Sequence, residues 1–244
     1  MKHTVSFLLD LVRKYNKDEM AVYAAQASFF TILAAFPFFM LLLALIDLIP
    51  LVHESDLLSF LVEIMPDNLD PLIVSILANI RSGSPGAVLS VSAVLSLWSA
   101  SRGMLSIERG INRAYNVAVQ RNYILRRLVC SGYTFLFTVM CTVSLFFRFS
   151  AFFILLLLIL LFYVVLPYKK QPILRQIPGA VFSTAGWGVF SAAFSVYFRY
   201  WGTFTVTYGS LTAVILMMFW LYFCIGILFA GAEINSMIEM KRDP

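Results

Sequence analysis

Residues 128–167 read LVCSGYTFLFTVMCTVSLFFRFSAFFILLLLILLFYVVLP, and Arg148 is the single charged residue among them. As one straight helix, at 1.5 Å per residue, this stretch would run about 60 Å, roughly twice the hydrocarbon thickness of a bilayer. It must therefore fold back on itself. Arg148, flanked by Phe147, Phe149 and Ser150, marks the tip, because a guanidinium reaches water there and is costly at the bilayer midplane. The fold class that follows is all-α, a polytopic membrane bundle.

Composition leads to the same reading. Hydrophobic residues make up 61% of the chain and aromatic residues 16%, more apolar surface than a water-soluble domain can hide. The net charge of +5 would point a soluble protein toward nucleic acid, but here the placement of the charges matters more than their sum, and no nucleic-acid partner is expected. Cys130, Cys141 and Cys224 all fall in apolar segments without metal-ligand spacing and read as small packing residues. The first twenty residues carry no cleavable signal pattern.

Working outward, the chain reads as a single membrane domain over 1–244. Residues 1–18 form an interfacial N-terminal helix, with Phe7, Leu8, Leu11, Val12 and Tyr15 on one face. The first span covers Ala21 to Ile49, interrupted at Pro37, with Ala24, Ser28, Thr31 and Ala35 as a small-residue stripe for helix packing. Residues 53–82, too charged to span and broken at Pro66-Asp67, read as extracytoplasmic amphipathic helices. A second span runs from Ala87 to about Ser106, and 103–122 forms its cytoplasmic extension, helical to about Tyr115. The hairpin supplies spans three and four. A fifth starts near Pro178-Gly179, where Gly179, Ser183 and Gly186 share a face, and ends near Tyr197; a sixth runs from Tyr208 to Ile234.

Lys and Arg placement orients these six spans. Every basic residue except Arg81, Arg148 and Arg199 falls on one side, while Asp47, Glu54, Asp56, Glu63, Asp67 and Asp70 fall on the other. Both termini are thus expected in the cytoplasm, in a multi-pass protein of the plasma membrane.

Catalytic signatures are missing. The sequence has no GxxxxGK[ST] phosphate loop and no GxSxG serine. Its two histidines, His3 and His53, fall on opposite sides of the expected membrane, which leaves no histidine-based metal centre and no reason to expect a metal or cofactor. Three polar groups remain. Arg102, Arg109 and Arg113 line one face of the helix that continues span two, where guanidiniums could hold lipid head groups or another anion, or simply anchor the cytoplasmic end. Glu108, Asn112 and Tyr115 lie about a third of a turn around that helix. Glu233 and Asn235 close span six, and Gly226, Ala230 and Glu233 share a face open to close approach by another helix. A carboxylate so near hydrocarbon needs a partner, and Arg102, then Arg109, is the expected one.

Three motifs in order resemble the YihY/virulence factor BrkB family of bacterial inner-membrane proteins. They are Ala24-Ala25-Gln26-Ala27-Ser28-Phe29-Phe30 leading to Phe36-Pro37, Trp98-Ser99-Ala100-Ser101-Arg102-Gly103 leading to Ile111-Asn112-Arg113-Ala114-Tyr115, and Tyr208-Gly209-Ser210-Leu211 leading to Gly231-Ala232-Glu233-Ile234-Asn235. The resemblance covers nearly the whole chain. The family commonly carries Ala-Leu-Ala-Tyr-Tyr in the first motif, so any role for those tyrosine hydroxyls does not transfer to Phe29 and Phe30. It implies about six spans, the bacterial inner membrane and a role in the envelope. Members have been labelled ribonuclease BN, a label without metal ligands or a nucleophile behind it here. The residues point to a protein that translocates or binds a lipid or other amphiphilic anion. The alternative is a non-transporting scaffold for envelope partners. Membrane lipids, anionic ones among them, are the expected partners, and a homo-oligomer stays open.

Overall fold

The computed structural model describes residues 2–46, 87–117, 124–134, 151–201 and 210–242. The hairpin tip at Arg148, the surface helices expected over 53–82, Cys141 and the last residues of the 103–122 extension lie outside them. Every regular element among the described residues is a helix: α1 (Lys2–Lys17), α2 (Met20–Ile46), α3 (Ala87–Ala114), α4 (124–134), α5 (Ala151–Val165), α6 (Ile173–Trp201) and α7 (Ser210–Arg242).

Local chemistry sets several of the helix ends. Lys14 and Lys17 fall in the last turn of α1, where cations complement the helix dipole. Glu19 then takes a left-handed backbone conformation (φ 56°), which turns the chain into α2. The end of α3 is a Schellman stop: Asn116, at φ 54°, sits in the conformation that Asn tolerates best after Gly, and the Val117 amide donates back to the Asn112 carbonyl at 2.9 Å. Pro167 follows the last turn of α5, and Pro172 precedes α6.

Three expected boundaries move. α2 passes through Pro37 without ending. α6 begins at Ile173, ahead of Pro178, and α7 runs on to Arg242 rather than stopping near Ile234. In both latter cases the extra turns carry buried polar residues, Gln176 and Asn235–Ser236, so burial against other helices rather than contact with lipid sustains them.

α3 packs along α2, α2 against α7, α7 against α6, and α6 against α5, while α1 crosses one end and touches α7 and α2. Small residues allow these approaches. Thr31 of α2 lies against Gly103 of α3, and the α6–α7 crossing brings the Gly179 and Gly231 backbones together, with Ser183 one turn along donating to the Ile227 carbonyl at 3.1 Å. Tyr163 of α5 closes the layer by donating to the Leu228 carbonyl at 2.5 Å.

Beside a hydrophobic core, the bundle buries polar side chains and turns large apolar ones outward. Ser28, Ser106, Glu108, Asn112, Gln176, Thr184, Glu233 and Asn235 are buried, while Phe29, Leu33, Phe153, Leu157, Val189, Phe219 and Phe223 are exposed. Apolar surface of this extent is at rest in acyl chains and costly in water. Ile173–Tyr197 and Val214–Met240 are each long and apolar enough to cross a bilayer, and Met20–Ala34 and Phe152–Val165 are shorter apolar helices.

Candidate functional site

The polar residues gather at the end of the bundle that α1 covers. The centre is Lys14. Its ammonium donates to Asp18 Oδ2 at 3.0 Å, to the Ala114 carbonyl at 2.7 Å and to Glu233 Oε2, so its three protons meet three acceptors, in the turn after α1, on α3 and on α7. Glu233 is fully buried, and its second oxygen, Oε1, has no hydrogen-bond partner among the described residues. Asp18 is buried as well and accepts an ion pair from Arg113 Nε at 3.3 Å. Lys14 and Arg113 thus balance Asp18 and Glu233. Burial first, and then Tyr222 and Glu233 nearby, push the Tyr15 phenol up to about 12, so it stays neutral beside the node.

Lys14, and not Arg102 or Arg109, is therefore the partner of Glu233. The reason is register. Phe229 of α7 packs on Gly110 of α3, and one turn further along both helices Glu233 meets Ala114 through Lys14. Arg102 lies twelve residues before Ala114, about 18 Å along the helix axis, out of reach. Nor does Gly226 admit a helix backbone. The Tyr15 hydroxyl fills the space beside it, and the close backbone approach on α7 is at Gly231 instead.

The expected Glu108–Asn112–Tyr115 face is buried, and each member binds a different neighbour. Glu108 Oε2 accepts from Arg126 Nη2 of α4 at 2.8 Å, with the Cys130 thiol 3.7 Å away. Asn112 donates to the Leu166 carbonyl at 3.3 Å and accepts from the Tyr168 amide at 2.9 Å, which ties α3 to the turn after α5. Tyr115 donates to Gln176 Oε1 at 2.5 Å, and Asn235 Nδ2 donates to the same oxygen at 2.9 Å. Asn235 Oδ1 in turn accepts the Gly179 amide at 2.8 Å. Burial pushes the Tyr115 phenol well above its usual value, so it remains a donor. Replacing Gln176 with leucine strands the Tyr115 hydroxyl, while Asn235 Nδ2 keeps its bond to the residue-176 carbonyl at 3.1 Å, and thermal unfolding in detergent should register about 1–3 kcal/mol of destabilisation. Adding Tyr115→Phe should return part of that loss.

The arginine stripe behaves differently. Arg102, Arg109 and Arg113 share one strip of the described part of α3, on which Arg102 and Arg113 are exposed. Arg102 is exposed, with its guanidinium 5.5 Å from the Phe30 ring centroid, a cation–π contact. Arg109 is half-buried, and of the three only Arg113 is paired with a carboxylate among the described residues. Among the described residues no group of three or more His, Cys, Asp or Glu side chains is placed to hold a metal.

A family model described as Virulence factor BrkB matches residues 11–244 of this chain. The chain belongs to the BrkB family. Among its relatives, the ribonuclease-like protein YfkH of Bacillus subtilis (strain 168) is 30% identical, over 98% of this chain and 97% of its own length. The UPF0761 membrane protein VV0203 of Vibrio vulnificus (strain YJ016) is 18% identical, over 98% of this chain and 84% of its own. No solved structure matches. The family and the two long apolar helices make this BrkB protein a membrane protein.

Sequence reading of the BrkB chain overlooked Lys14, Asp18, Gln176 and Arg126. For the first two a signal existed: Leu11, Lys14, Tyr15 and Asp18 stand at i, i+3, i+4 and i+7, a single helix face on which two charges sit with two apolar residues.

Proposed function

We propose that this BrkB-family protein is a multi-pass protein of the bacterial plasma membrane, with both termini cytoplasmic, that translocates or binds a lipid or other amphiphilic anion in envelope biology. One observation carries the reading: Arg102, exposed, and Arg109, half-buried, stand on one strip of α3 with no carboxylate paired to either among the described residues, and Phe30 floors the first. A phosphate head group with its acyl chains along α2 and α3 fits that combination of charge and apolar wall. The orientation is supported by the way contacts draw Lys14, Arg113, Arg126 and Lys169 to one end of the bundle.

A second reading, a scaffold without transport, draws on the sealed Glu233 and the close α6–α7 crossing, which make that end rigid. The ribonuclease-like name belongs to YfkH, and no constellation of side chains among the described residues supports carrying it over.

Substitution of Arg102 or Arg109 separates the readings. Loss of one contact with an anionic head group should weaken binding about fivefold, roughly 1 kcal/mol, for Arg→Gln. Arg→Lys should also weaken it, because a point charge replaces a bidentate fork. Membrane insertion should survive both changes. Lys variants that bind anionic lipid as well as the parent would reduce the stripe to an anchor. In liposomes carrying fluorescent lipids, a parent protein that binds them without moving them between leaflets would favour the scaffold.

A further inference from the structure

At 100° per residue, α1 divides into three faces. Phe7, Leu11, Lys14, Tyr15 and then Asp18 make the first, which is buried or half-buried against the bundle. Leu8, Leu9 and Val12 make the second, apolar and 53%, 55% and 57% exposed. Asp10, Arg13 and Lys17 make the third, polar and exposed. The single apolar face legible in the sequence is thus split in two, and the Lys14 node holds only half of it against protein.

The uncovered half has company at its own level. Leu174, two residues before the Gln176 that joins Tyr115 to Asn235, is exposed, and so are Ile124 and Leu128 at the start of α4. Exposed leucines and isoleucines on three helices around one end, edged by cations, do not describe a water-facing surface. We infer that α1 lies in the interface of the leaflet at this end, with Leu8, Leu9 and Val12 among acyl chains and Arg13 and Lys17 over anionic phospholipid head groups. The charge decides between a leaflet and a second copy of the chain. Two-fold pairing through this face would bring Arg13 and Lys17 toward their own counterparts, whereas an anionic leaflet complements them.

Spin labels test the assignment. Leu9→Cys, Val12→Cys and Lys17→Cys are introduced singly into full-length protein with Cys130, Cys141 and Cys224 replaced by alanine, and reconstituted in nanodiscs of phosphatidylcholine with or without phosphatidylglycerol. Collision with oxygen should dominate at positions 9 and 12, and collision with a water-soluble nickel chelate at position 17, the ratio differing several-fold. Nickel access at 9 and 12 equal to that at 17 overturns the inference, as does spin–spin broadening between two copies that replaces oxygen access. A second measurement uses Arg13→Gln with Lys17→Gln, both exposed positions outside the node. It should move the position-9 label toward water in discs containing phosphatidylglycerol and leave it in place in pure phosphatidylcholine. An unchanged depth in both discs rules out the head-group contact.

Discussion

Replacing Lys14 with methionine should destabilise the protein by roughly 3–5 kcal/mol, the loss expected when one partner of a buried ion pair is removed and the other stays behind. Two carboxylates are left at once. Glu233 is fully buried and depends on Lys14 for its one hydrogen bond among the described residues, while Asp18 keeps Arg113, whose side chain is half-exposed. The Ala114 carbonyl also loses its side-chain donor. Thermal unfolding in detergent, followed by circular dichroism, measures the effect. Glu233→Gln in the Lys14→Met background should restore a large part, because the buried charge is what makes the single change costly. A Lys14→Met protein as stable as the parent would show that the node contributes nothing.

The α6–α7 crossing should be as intolerant. A methyl group at Gly179 would stand 2.2 Å from the Gly231 carbonyl oxygen and 2.5 Å from Asn235 Nδ2, and one at Gly231 would stand 2.6 Å from the Gly179 carbonyl oxygen. Backbone atoms cannot rotate away as a side chain can, so alanine at either site must push the helices apart. That displacement also strains the Gly179–Asn235 bond and the Ser183 bonds beside it. Gly179→Ala and Gly231→Ala should each cost at least the ~1–3 kcal/mol typical of overpacking, with Gly231→Leu abolishing accumulation of folded protein. Gly188 on the same helix has open space around it, and its alanine variant should match the parent. Equal behaviour of Gly179→Ala and Gly188→Ala would mean the crossing is looser than it stands here.

What could be read in the sequence, and what could not, follows from the range of the forces involved. The helical character of the chain, the Gly179–Ser183 face and the end of α3 rest on local pattern, which the sequence displays directly. That Glu233 would need a cation followed from its place among apolar residues. Which cation would meet it did not, because the answer depends on the register between α7 and a helix more than two hundred residues earlier in the chain. Gln176 was hidden for another reason. It stands among Pro172, Arg175 and Pro178, residues that look like a connection, and only packing against Tyr115 and Asn235 shows that a helix already runs there. Arg102 and Arg109 were legible as a stripe, and so was their common face. That Arg102 would stay exposed and Arg109 half-buried on it is a property of the assembled bundle.

The Lys14 node also has a timing. Glu233 follows Lys14 by 219 residues, so at about 5–20 residues per second a ribosome makes the carboxylate about 10–45 s after the amine. Until then the ammonium has Asp18 and, once α3 exists, the Ala114 carbonyl, but its third acceptor has not been synthesised. In a nascent chain halted before α7, Lys14 therefore lacks one of its three acceptors.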